Sequence, residues 1–196
     1  MMNKRVPLFY HLGKLIIIPL FKLYYNPKIV NKEYIPKKGP IVIAGNHKHL
    51  YDQFLVIGAT NRGIHYMAKK EYFDNKKTKW FFKSAGCISV DRKNHDTNAK
   101  NMALDVLKDN GAIGIFPEGT RNKTEEVLLP FKYGAISMAS KTNSTIVPFA
   151  ITGDYKFRSK NLKITFLEPF KVDKMSKEEA NNKLYSIIKE QLIKEI

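Results

Sequence analysis

The sequence predicts an α/β protein: a single domain on a largely parallel, mixed central sheet flanked by helices, behind an N-terminal amphipathic helical segment. Three observations carry that expectation. Short apolar runs alternate with helically spaced ones from residue 41 onward, polar clusters follow three of the short runs, and a greasy stretch stands in front. A chain of 196 residues has room for one such domain, burying roughly two thirds of the surface its unfolded form exposes.

The greasy stretch is VPLFYHLGKLIIIPLFKLYY, residues 6–25. A spanning helix needs about 20 mostly apolar residues, and here Lys14 and Lys22 confine the unbroken run to Leu15 through Phe21. At ~100° per residue, Lys4, His11, Lys14 and Lys22 share an arc of about 80°, with apolar residues around the rest. Pro19 should kink the helix. Residues 1–25 are therefore expected to be a membrane-associating segment lying in the bilayer interface, lysines toward anionic headgroups and Leu, Ile, Phe and Tyr toward acyl chains. The same period also suits a helix that covers the domain's own core. No small-residue cleavage site follows, against a signal peptide.

Residues 26–40, NPKIVNKEYIPKKGP, read as a linker, and the domain as 41–196. Strands are expected at Ile41 to Gly45, His65 to Ala68, Cys87 to Val90, Ala112 to Phe116, Ile146 to Ile151 and Leu162 to Leu167. Helices are expected at Tyr51 to Ala59, Lys77 to Ser84, Asp96 to Lys108, Tyr133 to Lys141 and Lys177 to Glu195. Pro148 inside a strand pattern predicts an edge strand or a bulge, because proline cannot donate to a ladder.

Thirty-four Lys and Arg against eighteen Asp and Glu leave a formal charge of +16, which calls for anionic partners: nucleic acid, phosphorylated metabolites or an acidic membrane. The excess is mostly lysine spread along the chain, without zinc-finger spacing or an aromatic RNA-binding signature, so nucleic acid is not expected as a partner. Cys87 is the lone cysteine. It reads as a small apolar residue in a strand, and no disulfide can form within the chain.

The three polar clusters carry the chemistry. IVIAG is followed by Asn46 and His47, CISV by Asp91 and Arg92, and AIGIF by Pro117, Glu118, Gly119, Thr120 and Arg121. Ligands of open α/β sheets bind beyond the carboxyl ends of strands. On one straight helix His47 and Asp52 would diverge by about 140°, so they meet only if His47 sits on the turn after the strand and Asp52 opens the next helix. They would then form a base with its orienting carboxylate. A base without a nucleophile of its own takes the proton from a substrate hydroxyl, which describes a transferase. Backbone amides near Gly119 are candidates for the oxyanion. Three rivals stand: His49, three residues from Asp52, could take the aspartate; His47, His49 and Asp52 could ligate the metal of a hydrolase; or the chain could be a basic membrane-binding module without catalysis.

His47-x4-Asp52 after Asn46, GCISVDR at 86–92, FPEGTRN at 116–122, PFKYGA at 130–135 and IVPFAITG at 146–153 follow one another in an order that resembles the glycerolipid acyltransferase family, specifically its 1-acyl-glycerol-3-phosphate acyltransferases. The resemblance covers residues 40–153. It implies that family's fold. It further implies that His47 deprotonates the sn-2 hydroxyl of a lysophosphatidic acid, which attacks the thioester of acyl-CoA or an acyl carrier protein to give phosphatidic acid. Asp52 would orient His47, and Arg92, Glu118, Gly119, Thr120 and Arg121 would line the glycerol phosphate site, where an arginine fork suits phosphate oxygens. Neither a metal nor a cofactor is implied, the acyl donor being a co-substrate. The expected setting is the cytoplasmic face of the cell membrane, on a surface with anionic lipids.

Overall fold

All six expected strands form a sheet whose centre is parallel, and a seventh joins its edge. The computed structural model describes residues 6–91, 94 and 96–195, so Lys4, Arg92 and His95 lie outside the described residues. In chain order the elements are α1 (Leu8–Tyr25), β1 (Lys28–Val30), a 3₁₀ turn (Lys32–Tyr34), β2 (Ile41–Gly45), α2 (Asp52–Ala59), β3 (Ile64–Lys69), α3 (Glu71–Asp74), α4 (Lys76–Ser84), β4 (Ile88–Val90), α5 (Thr97–Lys108), β5 (Ala112–Ile115), α6 (Gly134–Thr142), β6 (Thr145–Thr152), β7 (Lys163–Phe166) and α7 (Lys177–Ile193). The strand order is β1-β7-β6-β2-β5-β3-β4, and only the β6–β7 pair is antiparallel.

Strand β2 is buried along its whole length, and its residues divide the core by the period of two. Val42 and Ala44 face the layer built by α5, α6 and α7, with Val106, Ile136, Leu184 and Ile188 packed there. Ile41 and Ile43 face α1 and α2, where Phe21, Leu55 and Val56 close the other side. Helix α5 is started by Asp96, whose side chain accepts from the Ala99 amide at 2.9 Å, and α7 by a reciprocal capping box between Ser176 and Glu179.

Three expectations change. The segment 26–40 is not a featureless linker: Lys28–Val30 pairs in parallel with β7 and becomes the sheet's edge, a strand too short to show a period of its own. Pro148 is not on an edge strand, since β6 lies between β2 and β7. Its carbonyl accepts from Leu167 at 2.9 Å, so its missing N–H points to the β7 side, away from the parallel ladder with β2. The bulge, the other alternative expected, forms there: between the Phe149–Phe166 and Ile146–Phe170 pairs, Leu167, Glu168 and Pro169 stand opposite only Val147 and Pro148.

The third change concerns α1, which runs through Pro19 as one element. Lys14 and Lys22 of its cationic stripe face the domain, the reverse of the expected orientation. Lys14 donates to the Thr60 carbonyl and Lys22 to that of Gly58 at 3.0 Å, so both ammonium groups satisfy the orphan carbonyls at the negative end of α2. Tyr10, Ile18 and Phe21 are buried on the same side. The apolar face is consequently turned outward, with Leu8, Leu15 and Leu23 each 72% exposed and Phe9, Leu12, Ile16 and Leu20 exposed beside them. Among the described residues, no helix is long and apolar enough to cross a membrane.

Candidate active site

Because β6, β2 and β5 are adjacent, the loops leaving their carboxyl ends meet over one point. Asn46, the first residue past β2, extends the ladder with its side chain: its amide donates to the Ile151 carbonyl at 2.9 Å and its oxygen accepts from the Ile151 amide at 2.7 Å. His47 follows on the turn, and Asp52 is the first residue of α2, the arrangement that lets the two meet. His47 Nδ1 lies 2.7 Å from Asp52 Oδ2. The same Oδ2 accepts the amides of Lys48 and His49, each at 2.8 Å. Acting as acceptor to all three, it sets Nδ1 as the protonated nitrogen of His47 and leaves the Nε2 lone pair for a reaction. Asp52 Oδ1 accepts from the Tyr155 hydroxyl at 2.6 Å. The His47 side chain is 19% exposed and that of Asp52 fully buried, as a base and its orienter should be.

The main chain of His47 is held at both of its polar groups by the loop after β5. Its amide donates to Glu118 Oε1 at 2.6 Å, and its carbonyl accepts from the Asn122 amide at 2.7 Å. Phe116 stacks on the imidazole, ring centroids 4.0 Å apart and planes 11° from parallel, and Tyr66 continues the stack behind it. Just before this turn, Gly45 lets β6 lie close against β2. A Cβ there would lie 2.3 Å from the Phe149 carbonyl oxygen on the neighbouring strand.

His49 does not compete for the aspartate. Its ring is turned onto Tyr155, centroids 4.1 Å apart, and its Nδ1 accepts from the Tyr51 amide. Burial, against the opposing pull of Asp52, lowers its basicity. The hydrolase reading loses its ligand set for the same reason: Asp52's oxygens are engaged, the two imidazoles stack on different partners, and among the described residues no group of three potential ligands stands together. Burial pushes the Cys87 thiol up to about 12, so it is no nucleophile at neutral pH.

Four of the expected binding residues, Glu118, Gly119, Thr120 and Arg121, share the loop after β5. Glu118 was expected to line the glycerol phosphate site. It borders the cleft at His47, but both of its oxygens are taken by main-chain amides, Oε2 accepting from Leu129 at 3.0 Å. Burial raises its carboxyl above the ordinary value and those two amides pull it back. Gly119 has φ +73 and closes a turn, its amide donating to the Phe116 carbonyl, so that amide is not an open oxyanion donor. Thr120 and Arg121 are exposed on the same loop. Arg92 lies outside the described residues.

The cleft that His47 borders has a volume of about 590 Å³. Lys28, Lys48, Lys160 and Lys163 line it together with Asn122, Thr152, Asp154 and Glu195. Lys163 pairs with Glu195 at 2.9 Å, and Lys48 donates to the Gly153 carbonyl. A second cleft, beyond β3 and β4, includes neither dyad residue; Lys70 lines it together with Asp74, Asp91 and Asp96. Sequence reasoning missed Asn46's ladder role, Phe116, Tyr155 and these lysines, for each acts through a neighbour remote in sequence.

A protein-family model described as Acyltransferase matches residues 26–152. The 1-acyl-sn-glycerol-3-phosphate acyltransferase of Bacillus subtilis (strain 168) is 35% identical over 147 residues, which is 72% of this chain and 72% of that protein. The protein of the same name from Borreliella burgdorferi is 31% identical over 178 residues, 86% of this chain and 70% of its own length. The crystal structure of the 1-acyl-sn-glycerophosphate (LPA) acyltransferase PlsC from Thermotoga maritima shares the fold, with a TM-score of 0.73, 20% identity, and coverage of 94% of this chain and 81% of that one.

Proposed function

Since the chain belongs to the acyltransferase family, we propose that it transfers an acyl chain from a thioester donor to the sn-2 hydroxyl of 1-acylglycerol 3-phosphate, yielding phosphatidic acid. The observation that carries this reading is the His47–Asp52 pair, with Nε2 left over on a residue that borders a cleft and, among the described residues, no serine or cysteine in the lining of that cleft. His47 Nε2 takes the proton of the bound alcohol as its oxygen attacks the thioester carbonyl, and the imidazolium is stabilised by Asp52. The tetrahedral intermediate then expels the thiolate, which recovers that proton from His47. The amides of Thr120 and Arg121, which donate to no partner among the described residues, are the oxyanion donors of this scheme. Arg92, Thr120 and Arg121, with Lys48 and Lys160, hold the phosphate and glycerol. Glu118 serves by fixing the main chain of His47.

Purified full-length chain with a labelled acyl group, supplied on coenzyme A and on an acyl carrier protein in parallel, should acylate 1-acylglycerol 3-phosphate in preference to neutral and choline-bearing lysolipids. Product from those other acceptors alone would overturn the acceptor assignment.

The outward face of α1 supports docking on a membrane surface, where the lysolipid resides. It extends beyond the helix: Phe9 packs edge-on against exposed Trp80 of α4 at 6.0 Å, and Tyr24 against exposed Phe157 at 5.1 Å. Lys76, Lys77, Lys79 and Lys83 surround Trp80 and supply the attraction to anionic lipids that Lys14 and Lys22, occupied on α2, do not. Replacing Leu15 and Leu23 together by glutamate should lower partitioning onto anionic vesicles by about tenfold or more, read by co-sedimentation, with the unfolding transition retained. Undiminished co-sedimentation would remove α1 as the docking element.

A further inference from the structure

Tyr155 belongs to none of the family-like sequence blocks, yet its hydroxyl holds the buried carboxylate on which His47 depends. Oδ2 of Asp52 serves His47, Lys48 and His49, and Tyr155 is the partner that holds Oδ1, at 2.6 Å. Burial and the charge of Asp52 raise the phenol's pKa well above its ordinary value, so it stays a donor at every working pH. The residue sits on a loop that closes on itself after β6. Gly153 turns with φ +77, where a Cβ would lie 2.1 Å from the Asn161 carbonyl oxygen, and Ser159 Oγ accepts from the Leu162 amide at 3.0 Å.

The same loop is fastened to the last turn of α1. Tyr25 stands edge-on to the Tyr155 ring at 5.6 Å, with Phe21 at 6.5 Å. Two residues on, Phe157 lies against Tyr24, and the Arg158 amide donates to the Tyr24 carbonyl at 2.7 Å. One short segment thus grips the outward-facing helix with one limb and the catalytic carboxylate with its tyrosine.

We propose that Tyr155 is a positioning residue for the His47–Asp52 pair, and that the end of α1 sets Tyr155, so the helix tunes turnover as well as meeting the membrane. The proposal rests on the acyltransferase reading. It is tested on the full chain with a short-chain, water-soluble 1-acylglycerol 3-phosphate and a medium-chain acyl-CoA, or the same chain on an acyl carrier protein, which takes vesicle binding out of the rate. Tyr155→Phe keeps the ring on His49 and Tyr25 and removes only the donor. It should lower kcat about tenfold while both KM values stay within about twofold. Tyr25→Ala should lower kcat by about threefold in the wild-type background and have no further effect in Tyr155→Phe, a coupling that independent sites do not show.

Wild-type kcat in Tyr155→Phe overturns the positioning role, and additive losses overturn the link to α1. A rise in both KM values together with an early unfolding transition marks Tyr155 as purely structural and also overturns it. Turnover by the wild type alongside any of these leaves the acyltransferase reading standing. A wild type inert toward both donors sinks that reading and this inference with it.

Discussion

The His47→Ala variant is expected to lose acyl transfer by about 10²–10⁴ in kcat, the contribution typical of a positioned base, while keeping its fold and its binding to vesicles. The fold should persist because the contacts that hold this turn belong to the main chain of residue 47, through Glu118 and Asn122, and alanine retains them. Removing the imidazole deprives Phe116 of one stacked neighbour and leaves the face with Tyr66 in place. Labelled product formation, thermal unfolding and vesicle co-sedimentation, measured on the same preparation, separate the outcomes. A variant as active as the wild type would retire His47 as the base. Loss of activity alone, with the other two unchanged, is what a basic membrane-binding module without catalysis cannot produce.

The Asp52→Asn variant should lose about a hundredfold or more in kcat and little stability, which distinguishes charge from shape. An asparagine oxygen placed at Oδ2 still accepts from Lys48, His49 and His47, and its amide group can donate to the Tyr155 oxygen once that hydroxyl turns to accept. Every hydrogen bond is thereby conserved, and what disappears is the negative charge that favours the imidazolium while the proton is on His47. Asp52→Ala provides the contrast. It strands part-buried amides and the part-buried Tyr155 hydroxyl, each at up to about 1–3 kcal/mol where water cannot replace the lost partner, so it should unfold at lower temperature. Thermal melts and kcat for the pair decide the matter: an active Asp52→Asn enzyme would show that the carboxylate's charge has no part in the reaction.

Most of the fold was legible in the chain because the core asks for regular spacing. Val42 and Ala44 against Ile41 and Ile43, or Val106 and Leu107 along α5, announce strand and helix by period alone. The condition for His47 and Asp52 to meet was legible too, a turn from strand into helix, while the choice of His47 over His49 came from the resemblance. What stayed hidden depends on which elements become neighbours. Periodicity shows that Lys14 and Lys22 share a stripe but not which way the stripe faces, because the carbonyls of Gly58 and Thr60 that attract them are exposed only by the end of another helix. The three residues of β1 become a strand only by pairing with β7, 135 positions later in register. Glu118 looks like a surface acid in a polar loop until the turn after β2 brings an amide to it, and Tyr155 reaches Asp52 across 103 positions because β6 and β2 are adjacent.

The lysine attachments of α1 have a geometric consequence. A helix joined to its domain by a flexible tether can roll and tilt at will, so the body it carries wanders above the lipid plane. Here two ammonium groups lock the roll against α2, and the Arg158 amide pins the far end. If α1 docks on a flat surface as proposed, that contact leaves the whole molecule one stance, with the mouth of the His47 cleft at a constant height and heading relative to that surface.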